Sequence, residues 1–244
     1  MNRLHSVQRL VLLSVAAALT LAACDTVEFQ SPPSEPLAAC DPALVGDWRA
    51  EDFRREPGEG MLYLRITENC ERWYSVGIER DEQGHPVADV DDLEEEMELG
   101  FAHSGKQAFI VARDRPDPAQ ESSPEDKPNG YTLIAFDRDE ANIILRQIDL
   151  KAVAHLIVDD VVPGWIEKRD RRPDGSGNGY ASGFWVYVFG SAEETSALLD
   201  AHPLLDAPWM RLLPVEASDS EDIDGWLAGA DKVKTSTFEA KDKP

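Results

Sequence analysis

Residues 183–189, Gly-Phe-Trp-Val-Tyr-Val-Phe, restrict the fold more than any other stretch of this chain. Aromatic and β-branched side chains predict a strand, and apolar residues at successive positions put them on both of its faces. Such a strand has to be covered from both sides, so the fold needs layers on each side of it. Helices flank the run. Asp149 is placed to cap a helix to about residue 158, with Val153, Leu156 and Ile157 near one face. Ser191-Ala192-Glu193-Glu194 is a capping box that opens a helix to about residue 201, where His202-Pro203 ends it.

The first half of the chain reads as strands. Val45–Ala50, Met61–Thr67 and Glu71–Glu79 are followed by a polar, acid-rich loop over 81–96. Met97–Ala102 and Gln107–Arg113 flank His103-Ser104-Gly105-Lys106 as a hairpin. A proline-rich loop spans 114–130, and Tyr131–Phe136 with Asn142–Ile148 makes a further hairpin. Short strands follow at Gly164–Lys168 and Trp209–Val215. From Asn142 onward the order strand, helix, strand, strand, helix, strand resembles a ferredoxin-like unit. The expected class is α+β: an antiparallel meander over 40–141, open to barrel-like closure, then a βαββαβ region over 142–215. Residues 216–244 read as an acidic peripheral tail.

At the N-terminus, Arg3 and Arg9 precede the uncharged run LVLLSVAAALTLA (10–22), the order of a signal peptide. The run is short of the ~20 apolar residues that span a bilayer. It ends in Leu21-Ala22-Ala23-Cys24, which resembles the lipobox of bacterial lipoproteins. The resemblance covers residues 1–25. It implies cleavage after Ala23, acylation of Cys24, and a protein held at the cell envelope, facing the periplasm. Two or more acyl chains anchor stably, at about 0.8 kcal/mol per buried CH₂. Asp25 after the cysteine resembles an inner-membrane retention signal, but the rule varies between bacteria, so inner and outer membrane both stay open. Residues 24–39, rich in Pro, Ser and acid, read as the lipidated cysteine and a flexible tether.

With Cys24 acylated, Cys40 and Cys70 are the two cysteines left. An even pair in an oxidising compartment reads as a disulfide. Two free thiols and a metal pair are the alternatives, and no His stands at ligand spacing from either.

The full chain carries a net charge of −23, and cleavage would remove two Arg and no acid. Nucleic acid needs Lys and Arg for its phosphates, so it is excluded as a partner. Anionic lipid calls for a polybasic patch, so the acyl chains must do the anchoring.

Candidates for chemistry are few. Gly46-Asp47-Trp48 resembles the Gly-x-Trp start of lipocalin-like proteins, which implies a Trp packed across a barrel base and an apolar ligand inside. Burial alone also explains Trp48, and Trp73 and Trp185 are open to the same two roles, pocket or core. Asp174-Gly175-Ser176-Gly177-Asn178-Gly179 starts a calcium-loop pattern, but Trp185 occupies its twelfth position. Asp89–Glu96 is an acidic run, read as solvated and self-repelling. His155 with Asp159 and Asp160 offers a base and an orienting acid, against a surface histidine. No P-loop, G-x-G-x-x-G, G-x-S-x-G or H-E-x-x-H motif is present. The expectation is therefore a lipid-anchored, non-catalytic binding or interaction module with no cofactor or metal. Its partner would be an envelope protein or a small apolar ligand. A lipocalin-like carrier and an enzyme with an unrecognised site are the alternatives.

Overall fold

The computed structural model describes residues 25–53, 61–80, 86–93, 97–115, 129–169, 183–216 and 220–228. Among them, no helix is long and apolar enough to cross a membrane. The strands are β1 (Asp25–Phe29), β2 (Gly46–Asp52), β3 (Met61–Ile66), β4 (Trp73–Arg80), β5 (Pro86–Asp92), β6 (Met97–Ser104), β7 (Gln107–Asp114), β8 (Thr132–Asp139), β9 (Asn142–Ile148), β10 (Gly164–Arg169), β11 (Gly183–Val188) and β12 (Leu205–Pro214). Helix α1 (Leu150–Val158) lies between β9 and β10, α2 (Ala192–Ala201) between β11 and β12, and α3 covers residues 220–228. The caps are those the sequence predicts. Asp149 accepts from the backbone N–H groups of Lys151 and Ala152, and Ser191 with Glu194 closes the capping box.

A large antiparallel sheet has the order β5-β4-β3-β2-β12-β9-β8-β7-β6. The last strand, β12, sits in its middle, bonded to β2 on one side and β9 on the other. The two halves of the chain therefore share one sheet. The β9–β12 register shifts around Pro208, where proline withdraws a ladder donor.

The sheet curls. Trp73 on β4 and Phe101 on β6 stand near opposite ends of the order, yet their ring centroids are 5.6 Å apart. Alternating residues of β7–β9 divide between the two faces. Ile110, Ile134, Phe136 and Leu145 point into the curl, while Phe109, Val111, Leu133 and Ala135 point to a second core outside it. That second core is covered by a small mixed sheet, β1-β11-β10, and by α1 and α2. Strand β11 is buried from both sides, as its composition demands: Val186 and Val188 face the second core, and Trp185 and Tyr187 are buried on the opposite face.

Four expectations need correction. Residues 25–29 are not a tether. They form β1, parallel to β11, with Val27 and Phe29 buried in the second core. Alternation in Thr-Val-Glu-Phe was the available signal, and the neighbouring prolines obscured it. The acid-rich stretch after residue 81 is not all loop, since Pro86–Asp92 is the edge strand β5, paired to β4. Its Val87 and Val90 carry the strand propensity, and its acids blunt an edge that would otherwise recruit another strand.

The βαββαβ order is present, but its strands are split between two sheets. β9 pairs with β12 and β10 with β11, both antiparallel. The parallel pairing that would join β9 to β11 in a ferredoxin-like sheet is replaced by β1 on the β11 edge. Within the C-terminal region, finally, residues 220–228 are not a bare tail. Its helix α3 buries Ile223 against Tyr63, Val76 and Ile78 on the outer face of β3–β4, and Trp226 packs 5.8 Å from Tyr63.

Candidate functional site

The interior of the curled sheet is the place for a lipocalin-like ligand, and two of the three candidate tryptophans meet there. Trp48 comes from β2 and Trp73 from the start of β4, each 5% exposed or less. Trp48 donates its indole N–H to the carbonyl of Leu44 at 2.7 Å, and Leu44 is itself fully buried beside it. Phe101, Phe136, Trp209 and Met210 pack into the same cluster. Trp185 is elsewhere, on the outer face of the small sheet. There it packs 5.7 Å from Trp165 and 6.2 Å from Tyr187, with Phe189 5.3 Å beyond Tyr187. Burial pushes the Tyr187 hydroxyl pKa up, and the carboxylate of Glu28 adds to the effect.

The rim of the curl is closed by residues 38–44. Ala38 exchanges two backbone hydrogen bonds of 2.9 Å with Phe101 on the free edge of β6. Leu37 packs so closely on β6 that a side chain at Gly100 would meet it at 2.9 Å. Two residues past Ala38, Cys40 is bonded to Cys70 in the β3–β4 turn. The expected disulfide is present, and it links the segment lying on β6 to the far side of the same sheet.

A cleft of about 290 Å³ lies where the β6–β7 turn meets the end of α2. Ser104, Gln107, Asp200 and His202 line it, over a floor of Phe109 and Leu204. The Ser104 hydroxyl donates to Asp200 at 2.8 Å and lies 2.9 Å from the Ser196 hydroxyl. Its proton is thus directed at the Asp200 carboxylate. The arrangement fastens the turn to the helix and offers hydrogen-bonding groups to a small polar molecule. At the lower limit of ligand-pocket volumes, the cleft suits a shallow contact. Sequence reasoning missed it because its members come from a turn and a helix end almost a hundred residues apart, with no local pattern between them.

The other candidates do not assemble. His155, Asp159 and Asp160 are exposed on and after α1, where the backbone N–H of Asp159 donates to the His155 carbonyl and that of Asp160 to the Ile157 carbonyl. Within the acidic run, Asp92 is buried and pairs with Arg72 at 3.2 Å, so that carboxylate is neither solvated nor free. Cys24, the residues 174–179 and the acids 94–96 lie outside the described residues. No family model, curated protein or solved structure matches this chain.

Proposed function

We propose that the protein is a lipoprotein of the bacterial envelope, acylated at Cys24, whose folded part is a non-catalytic binding or interaction module. The cluster of buried aromatic side chains inside the curled sheet supports this proposal. A carrier needs space for its ligand, whereas here Trp48, Trp73, Phe101, Phe136 and Trp209 occupy the interior with their own side chains. Recognition is then left to the outside of the molecule, where Phe53, Val87, Phe184 and Phe189 are exposed. The disulfide agrees with an oxidising compartment.

The lipocalin-like alternative draws on the curl itself and on Gly46-Asp47-Trp48 at the start of β2. Native mass spectrometry of residues 25–244, exported to the periplasm, separates the two. A clean apo mass lower by two hydrogens for the Cys40–Cys70 bond supports the interaction module. A lipid-sized adduct that leaves on denaturation would replace it with the carrier. Incorporation of labelled palmitate that is lost in Cys24→Ala tests the anchor.

A further inference from the structure

The cleft between the β6–β7 turn and the end of α2 holds a carboxylate in a place that disfavours it. Asp200 stands in the last turn of α2, where the helix ends on carbonyl groups and a negative charge has the wrong sign. No basic residue shares that turn. Ser104, a neutral partner, donates to Oδ1 of Asp200 at 2.8 Å, and the carboxylate has no cationic partner among the described residues. Nor does a Lys or Arg line the cleft among those residues. Two features that each favour a cation, the helix end and the carboxylate, thus meet at one opening.

The other walls show what the cation would carry. Gln107 commits its amide N–H groups to the carbonyls of Ala108 and Phe136, which leaves its own carbonyl oxygen as an acceptor. The floor is hydrocarbon: Phe109 and Leu204 are buried, and Leu199 and Leu205 stand beside them. A bare metal ion would leave that floor unused, and among the described residues no group of three metal-ligating side chains stands here to hold one. An ammonium head on a short hydrocarbon body matches both parts of the cleft, and about 290 Å³ limits the body to a small one. Asp200 is exposed and His202 half-buried, so a solute can reach the opening.

We propose that this cleft binds a small organic ammonium ion, with its head on the Asp200 carboxylate and its hydrocarbon over Phe109 and Leu204. The net charge of −23 on the chain draws cations toward it. The proposal goes beyond the interaction-module reading and needs neither the acyl anchor nor an envelope partner, so its failure would leave both standing.

The test is an amide-shift titration of the full-length, ¹⁵N-labelled protein in a nonionic detergent. Three probes share one carbon skeleton and differ in head group: isopentylammonium chloride, isopentanol and sodium isovalerate. The amides of Gly105, Leu199 and His202 should shift and saturate with the ammonium, while that of Val87 on β5 stays in place. The ammonium should bind about tenfold more tightly than the alcohol, the difference expected of a charge-assisted hydrogen bond, and isovalerate should not bind. Asp200→Asn keeps an acceptor for Ser104 and should bring the ammonium down to the affinity of the alcohol. Shifts that never saturate, equal affinity for ammonium and alcohol, or the same shifts with isovalerate overturn the proposal. So does a folded Asp200→Asn protein that binds the ammonium as tightly as the parent. If that variant does not fold, the three probes on the parent protein decide alone.

Discussion

Trp73 and Phe101 pack ring against ring across the open side of the curled sheet, although seven positions in the strand order separate β4 from β6. The segment 38–44 bridges the same gap, bonded to Phe101 at Ala38 and to Cys70 at Cys40. The disulfide closes a loop with a sequence separation of 30, for which chain entropy gives about 3.7 kcal/mol. The double variant Cys40→Ser with Cys70→Ser should unfold at lower urea, with stability reduced by about 3–4 kcal/mol. An unchanged midpoint would mean that ring packing alone holds the curl.

Arg65 grips Asp47 with two hydrogen bonds, Nε to Oδ1 at 2.5 Å and Nη2 to Oδ2 at 2.7 Å, and its Nη1 pairs with Asp224 of α3. The first pair is largely shielded from water, while the Asp224 side chain is 68% exposed. Arg65→Ala should therefore cost about 2–3 kcal/mol, because it strands the Asp47 carboxylate. Asp224→Ala should cost about 0–1 kcal/mol. Arg65→Lys should lie nearer the alanine variant, since an ammonium cannot make the two-pronged contact. Chemical denaturation of the three variants measures the order, and similar values for Arg65→Ala and Asp224→Ala would refute it.

The same pair sets an acid limit. Burial alone would raise the Asp47 pKa, but the hydrogen bonds from Arg65 and Ser220 and the charge of Arg65 outweigh it, and the pKa is lowered. A group with a lowered folded-state pKa contributes stability that is fully present above its unfolded value of about 3.9. That contribution is lost as pH falls through the lower folded value. Asp47→Asn should thus lose stability at pH 7, and its difference from the parent should shrink only below about pH 4. Stability curves from pH 7 to pH 2 check this; a difference already gone at pH 5 would contradict it.

Trp48 donates its indole N–H inside the core, to the Leu44 carbonyl at 2.7 Å. Trp48→Phe keeps an aromatic ring but leaves that buried carbonyl without its donor. The expected cost is about 1–3 kcal/mol. Trp48→Ala removes the packing as well and should cost about 3–5 kcal/mol. If both variants were as stable as the parent and only ligand uptake changed, Trp48 would line a pocket and not a core.

Gly105 turns the β6–β7 hairpin with φ +55°, and a Cβ there would meet the Asp200 carboxylate at 2.9 Å. Gly105→Ala should lose about 1–2 kcal/mol through left-handed backbone strain, besides crowding Asp200. Ser104→Ala should lose about 1 kcal/mol, since Asp200 is exposed and water can take over its hydrogen bond. Thermal melts of the two variants test the order, and a larger loss for Ser104→Ala would show that the serine does more than fasten the turn.

Local chemistry was enough to determine most of the individual elements, though not β1, β5 or α3. The run at 183–189 announced a strand buried on both faces, Asp149 and Ser191 marked the helix starts, and the turns at Glu68–Cys70 and Gly105 separated their strands. Compartment logic paired Cys40 with Cys70. Each of these follows from periodicity, a cap or a count, all written within a few residues or in the cysteine inventory. What the elements do together was decided by tertiary structure. Strand β12 enters the middle of the large sheet, β1 takes the edge of β11 that a ferredoxin-like sheet would give to β9, and Arg65 reaches α3. Backbone hydrogen bonds between strands carry no residue identity, so no local stretch of sequence encodes which edge meets which. Partners are chosen when the apolar faces of the whole chain are buried at once, and that global condition joined Ala38 to β6 and filled the curl with Trp48 and Trp73.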